Sequence, residues 1–186
     1  ALEYLEKGLE VQPDDLPARR ETGICLQRLA QAGAPGHSIE RARQHYETVL
    51  KDHPRDIETW ALLGRVDKEA WVQSWRRPGS DAKTMHDDAA YEDALLRAAM
   101  RSYERAYRAD PGHFFSGINA LTLAHLADHL GIQAASARER EVMAGAVRFA
   151  AENEDDESQR YWAAATRGDL EVLVGTPDAV TRAYKE

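Results

Sequence analysis

The sequence predicts an all-α fold, an α-solenoid of antiparallel helix pairs, on three observations. A small residue, an apolar or aromatic residue four positions on, and a proline twelve positions on recur together three times. They are Ala1, Leu5 and Pro13; Ala42, Tyr46 and Pro54; and Ala99, Tyr103 and Pro111. Glycine follows two of these prolines at the tenth position, as Gly23 and Gly64. No stretch sustains the alternation that a β-strand requires.

Each position in the pattern has a physical role. The small alanine lets two helices approach closely, and the residue four places on lies on the same helical face, where it fills the groove. The proline ends the helix before the next one begins. The spacing predicts about nine helices, over 1–11, 16–32, 38–52, 57–76, 87–109, 114–131, 134–152, 158–174 and 177–186. Around Gly64 the residues Trp60, Leu63, Gly64 and Asp67 resemble the W-x2-L-G-x2-Y signature of tetratricopeptide repeats, with Asp67 in place of the tyrosine. After Pro111 the tenth residue is Leu121, so the glycine is missing there. Pro13 to Pro54 spans 41 residues and Pro54 to Pro111 spans 57, both longer than the tetratricopeptide period. The extra residues are assigned to irregular insertions near 32–38 and 70–90, the first rich in glycine and proline. A fourth unit holds Gly168, Gly175, Val180 and Tyr184. The expectation is one tetratricopeptide-like domain over 1–186. Because Ala1 already stands in helical rhythm, it reads as a piece of a longer protein.

Composition narrows the function classes. Acidic residues number 32 and basic residues 24 in 186, a net charge of −8. That excess repels phosphate backbones, so nucleic acid is not an expected partner. No apolar run reaches membrane-spanning length, and none is expected at a membrane. The one cysteine, Cys25, cannot form an internal disulfide and is expected as a small core residue, which favours the cytoplasm. No nucleophile elbow, ordered triad or phosphate loop is present, so no catalysis and no cofactor are expected.

Further residues carry a more particular likeness. Gly64, Arg65 and Lys68 precede the long insertion; Pro111 leads to Ser116-Gly117-Ile118-Asn119; and Tyr161-Trp162 opens a later helix. This order, across residues 40–186, resembles the TRAF-binding, tetratricopeptide-rich central region of the apoptosis signal-regulating MAP3 kinases and of bacterial proteins carrying the same domain. The resemblance implies a regulatory, signalling scaffold that binds proteins rather than turning over a substrate.

In such a stack the first helices of successive repeats line the concave face. That places Arg20, Ile24 and Gln27, then Ala61, Arg65 and Lys68, then Ile118, Thr122 and His125 on it. Arg20, Arg65 and Lys68 form a basic strip suited to a peptide carboxylate or acidic segment. The expected partner-binding residues are thus Arg20, Gln27, Arg65, Lys68 and His125, and the expected partner is a protein, a peptide or a neighbouring domain of the same chain. Two other readings stand beside it. One is a homo-oligomerisation module. The other is a metal-dependent hydrolase using His125 and His129, which share a helical face in H-x-x-D-H. Trp60 is expected in the core, Trp71 and Trp75 against the inserted segment, and Asn119 on a neighbouring loop backbone. The acid run Glu152–Glu157 is expected to cap the next helix through its dipole. Reversing Arg65 and Lys68 together to glutamate is expected to weaken partner binding and leave the melting temperature nearly unchanged.

Overall fold

The computed structural model describes residues 1–185 and contains ten helices with no strand among them. They are α1 (Leu2–Val11), α2 (Leu16–Gln31), α3 (Ile39–Asp52), α4 (Ile57–Trp75), α5 (Ala82–Tyr91), α6 (Asp93–Ala109), α7 (Phe114–His129), α8 (Ala137–Glu152), α9 (Arg160–Val174) and α10 (Pro177–Ala183). The helices pack as antiparallel pairs: α2 with α3, α4 with α6 across the intervening α5, α7 with α8, and α9 with α10. The result is the expected tetratricopeptide-like solenoid. Its helix starts are set locally. Asp15, Ser38, Asp56, Asp81, Ser136 and Thr176 each accept a backbone N–H at the first turn of the helix they precede.

The count of ten rather than nine comes from the long insertion. The expected helix over 87–109 is two helices, broken at Glu92. Asp81 caps α5 early, accepting from the Thr84 N–H at 2.9 Å. Ala89 is buried against Trp71, whose indole N–H donates to the Ala89 carbonyl at 3.1 Å. Trp75 meets Trp71 edge to face, with ring centroids 5.5 Å apart. Trp71 therefore holds the inserted helix, as expected, and Trp75 packs against Trp71 and the same cluster. The shorter insertion is a turn in which Gly33 and Gly36 take φ of 68° and 76°, a left-handed region that glycine enters without penalty.

Three apolar clusters run along the stack, one per junction. Leu26, Ala42, Tyr46, Leu50, Leu63 and Val66 join α2, α3 and α4. Trp71, Leu96, Tyr103, Leu123 and their neighbours join α4, α5, α6 and α7. Phe114, Leu121, Val147 and Leu170 join α7, α8 and α9. The paired helices close on one another through side chains laid on glycines. A Cβ on Gly64 would stand 2.9 Å from the Tyr103 ring, and one on Gly168 would stand 2.8 Å from the Tyr184 ring. Tyr46 lies against Gly23 in the same way. In the third unit Gly117 faces Val147 and Tyr107. Gly117 sits three residues into α7, whereas Gly23 and Gly64 sit seven into theirs, so the seat has moved about one helical turn. Leu121 fills the vacated position and is fully buried.

Adding a methyl group separates these seats from ordinary helical glycines. Gly64→Ala forces Tyr103 aside and is expected to cost about 1–3 kcal/mol, lowering the melting temperature by roughly 3–10 °C. Gly145→Ala, in α8 with nothing within 4 Å of the new atom, is expected to raise stability by about 0.5–1 kcal/mol. Thermal melts followed by helical circular dichroism distinguish the two.

Candidate functional site

The inner face is built from α2, α4, α7 and α9, the first helices of successive units. Polar side chains cross from α2 to α4 and from α4 to α7. Arg20 of α2 is bound to the Asp56 carboxylate by two nitrogens, Nε at 2.9 Å. Asp56 also caps α4, accepting from the Thr59 N–H at 3.0 Å. Burial alone would raise the Asp56 carboxyl, but the hydrogen bonds from Arg20 and Thr59 outweigh it and hold it below its ordinary value. One turn along, Arg65 Nε donates to Gln27 Oε1 at 2.9 Å, and Gln27 is buried at 3% exposure. Next, Lys68 Nζ donates to Asn119 Oδ1 at 2.7 Å and lies 5.7 Å from the centre of the Tyr103 ring. Burial, and then the neighbouring Arg65 guanidinium, lower the Lys68 ammonium below its ordinary value.

This arrangement corrects several expectations. The basic strip is not a row of free cations, because Arg20 and Lys68 are committed to partners inside the fold. Asn119 accepts from Lys68 and donates to the Phe115 carbonyl of its own helix at 2.8 Å, rather than bonding a neighbouring loop. The two motif segments, Gly64–Lys68 and Ser116–Asn119, therefore meet through one hydrogen bond. Lys68→Glu would set two acceptors against each other in a mostly buried place. The double charge reversal is accordingly expected to destabilise the fold as well as alter the surface.

Arg65 differs from the other two. It has one hydrogen bond, to a neutral amide, and no carboxylate within 4.0 Å among the described residues. It lines a cavity of about 540 Å³ that α4, α7 and the entry to α9 enclose together. Glu58, Asp110, His113, Phe115, Glu154 and Trp162 are among the other wall residues, so Arg65 faces three carboxyl side chains across the space. His113 lies 2.7 Å from Ser116 Oγ through Nδ1 and 3.2 Å from Glu58 Oε1 through Nε2. That contact lowers the Glu58 carboxyl, against the opposing effect of burial. Phe115 and Trp162 are 38% and 55% exposed, leaving aromatic faces open beside the guanidinium. The acid run supplies Glu154 to this wall and ties itself into a turn through the Asp156 and Ser158 N–H groups. Sequence reading missed His113, Phe115 and Glu154 because they come from segments far apart in the chain. Arg65 and the Tyr161-Trp162 pair stood out in motifs, and Glu154 only as part of the acid run.

His125 does not join this cavity. It lines a separate hollow of about 400 Å³ with Arg140, Gly145 and Val174. Burial, with Arg140 nearby, lowers its pKa. Asp128 is paired with Arg140, and His129 meets the His86 ring at 5.9 Å. Among the described residues no three His, Cys, Asp or Glu side chains gather as a ligand set. Cys25 is half-buried rather than enclosed. Trp60 stands at the edge of the core rather than enclosed in it. It is half-buried, donates to the Pro54 carbonyl at 2.9 Å and carries the Arg105 guanidinium 4.5 Å from its ring centre. It packs on the margin of the α2–α3–α4 cluster and shows its other edge to the groove between α3 and α6. No helix among the described residues is long and apolar enough to cross a membrane.

A family model described as Tetratricopeptide Repeats-Sensor matches residues 1–124. The match takes in Arg20, Gln27, Arg65, Lys68 and Asn119 and ends before His125 and the Tyr161-Trp162 pair. It thus begins earlier and stops sooner than the likeness over 40–186. No curated protein matches the chain.

The Arg20–Asp56 pair makes a pH prediction. Because the folded carboxyl lies below its unfolded value, its stabilisation is present above about pH 4 and lost as pH falls through the lowered value. Asp56→Asn keeps a capping oxygen but removes the charge. It is expected to cost about 1–3 kcal/mol at pH 7, with the gap from wild type closing below about pH 4. Urea titrations at neutral and acid pH measure both.

Proposed function

Because this chain belongs to the Tetratricopeptide Repeats-Sensor family, we propose that it is a non-catalytic scaffold that holds a protein segment on its inner face. The observation that carries the reading is the cavity beside Arg65. Three successive first-helix segments converge there on a guanidinium with unused donors, flanked by two open aromatic faces. A guanidinium presents five donors in a fixed fork and suits a carboxylate, and exposed aromatic side chains are typical anchors for a partner. Such a cavity suits a peptide side chain or terminus bearing a carboxylate. The polar ties behind it fix the wall and reduce the ordering cost of binding.

The likeness of Gly64–Lys68 and Ser116–Asn119 to the signal-regulating kinases extends the reading. On it, the domain is a regulatory module of a signalling or defence protein and works in the cytoplasm. A second reading, assembly with a copy or with a neighbouring domain, is favoured by the apolar side chains on α8 and α9. Val142, Phe149 and Val172 are 64%, 70% and 60% exposed, and contiguous exposed apolar surface commonly marks an interface.

The test uses Arg65→Gln combined with Phe115→Ala and Trp162→Ala. Proteins captured by wild type are expected to be lost from the triple variant, with its melting temperature within roughly 4 °C of wild type. Unchanged capture by a folded triple variant sinks the inner-face reading. A mass that rises with concentration and falls on Phe149→Ser would favour assembly instead.

A further inference from the structure

The opposite side of the stack holds a second groove that the inner-face reading does not use. It runs between α3 and α6, the second helices of two successive units, with α4 as its floor, and encloses about 600 Å³. Its floor is apolar, made by Leu50, Pro54, Trp60 and Leu63. Its rim is cationic: Lys51 on one side, Arg101 and Arg105 on the other. All three are exposed, and among the described residues none has a carboxylate within 4.0 Å. The two acids in the groove share one cation, Arg43, and against the four cations of its lining they leave an excess of positive charge. Asp67, 2% exposed, accepts from Arg43 Nε at 2.9 Å and from Ser102 at 3.2 Å, and Glu47 pairs with the same Arg43 at 3.0 Å. The groove is therefore locally positive on a chain whose net charge is −8.

We propose that this outer groove docks an acidic segment of a partner protein that carries an apolar or aromatic anchor. Two features select that chemistry. The uncompensated cations sit along both lips, where carboxylates on either side of a bound segment would reach them, as charge complementarity requires. Between the lips the Trp60 ring and the leucines offer a floor that a purely polar ligand would leave unsatisfied. Arg105 rests on Trp60 and can turn towards an incoming carboxylate without losing its aromatic neighbour, since guanidinium groups pair and stack at once. A second copy of the chain is a weaker candidate, because two bodies of charge −8 repel.

The probe is a fluorescein-labelled synthetic peptide of Glu and Asp surrounding a Trp-Leu pair, with a Lys-substituted peptide as control. Fluorescence anisotropy is expected to show saturable binding of the acidic peptide, weakened as salt rises, and none of the control. Arg101→Glu with Arg105→Glu is expected to weaken it roughly tenfold or more, with helicity and melting unchanged. If that variant unfolds, Lys51→Glu, on the other lip, must still weaken binding several-fold. Arg160→Glu with Arg167→Glu, outside the groove, must leave it unchanged. The proposal is overturned if the acidic peptide fails to bind, or if folded groove variants bind it as wild type does. It is also overturned if sedimentation shows self-association that the groove variants abolish, since a second copy then occupies the site.

Discussion

A tyrosine ring laid on a helical glycine sets the distance at which the helices meet in three of the four pairs. Tyr46 on Gly23 and Tyr103 on Gly64 place fully buried rings where any Cβ would collide. Close-packed interiors tolerate little extra volume, so the contact fixes the crossing of first and second helix rather than merely filling space. Tyr184 repeats the contact on Gly168 with its ring mostly exposed, where its hydroxyl donates to Asp169 at 2.6 Å. The third unit solves the problem differently, with a branched aliphatic side chain on Gly117 one turn earlier.

Because each unit is closed by its own seat, the junctions between units are free to vary. The chain exploits this with helix α5, which is held by Trp71 of α4, backed by Trp75, while the α4–α6 seat is kept. A solenoid's stability is approximately a sum over neighbouring contacts, so an insertion at one junction leaves the others in register. The buried Asp67, standing where the repeat signature has tyrosine, joins α3, α4 and α6 through Arg43 and Ser102. Burial raises its pKa despite those partners.

The two sides of the stack differ in how they treat their cations. Inside, Arg20 and Lys68 are tied to Asp56 and Asn119, which stiffens the alignment of α2, α4 and α7 and leaves Arg65 as the cation with spare donors. Outside, the acids are tied to Arg43 and the cations are left over. One fold thus carries an inner cavity walled by aromatic side chains and an outer groove rimmed by positive charge.

The sequence by itself determined the solenoid, the helix boundaries to within about three residues outside the insertion, and the residues that seat the helices. These follow from local rules: proline ends a helix, a capping oxygen starts one, and spacing along a helix decides its buried face. It also marked Lys68 and Asn119 as members of two separate motifs. Only the tertiary structure decided that they bond each other, that Trp60 faces an outer groove, and that His113, Phe115 and Glu154 share a wall with Arg65. Those outcomes depend on which turns of different helices come level. That registration is set by the sizes of the seated rings and by the inserted helix, and a one-dimensional period does not encode it.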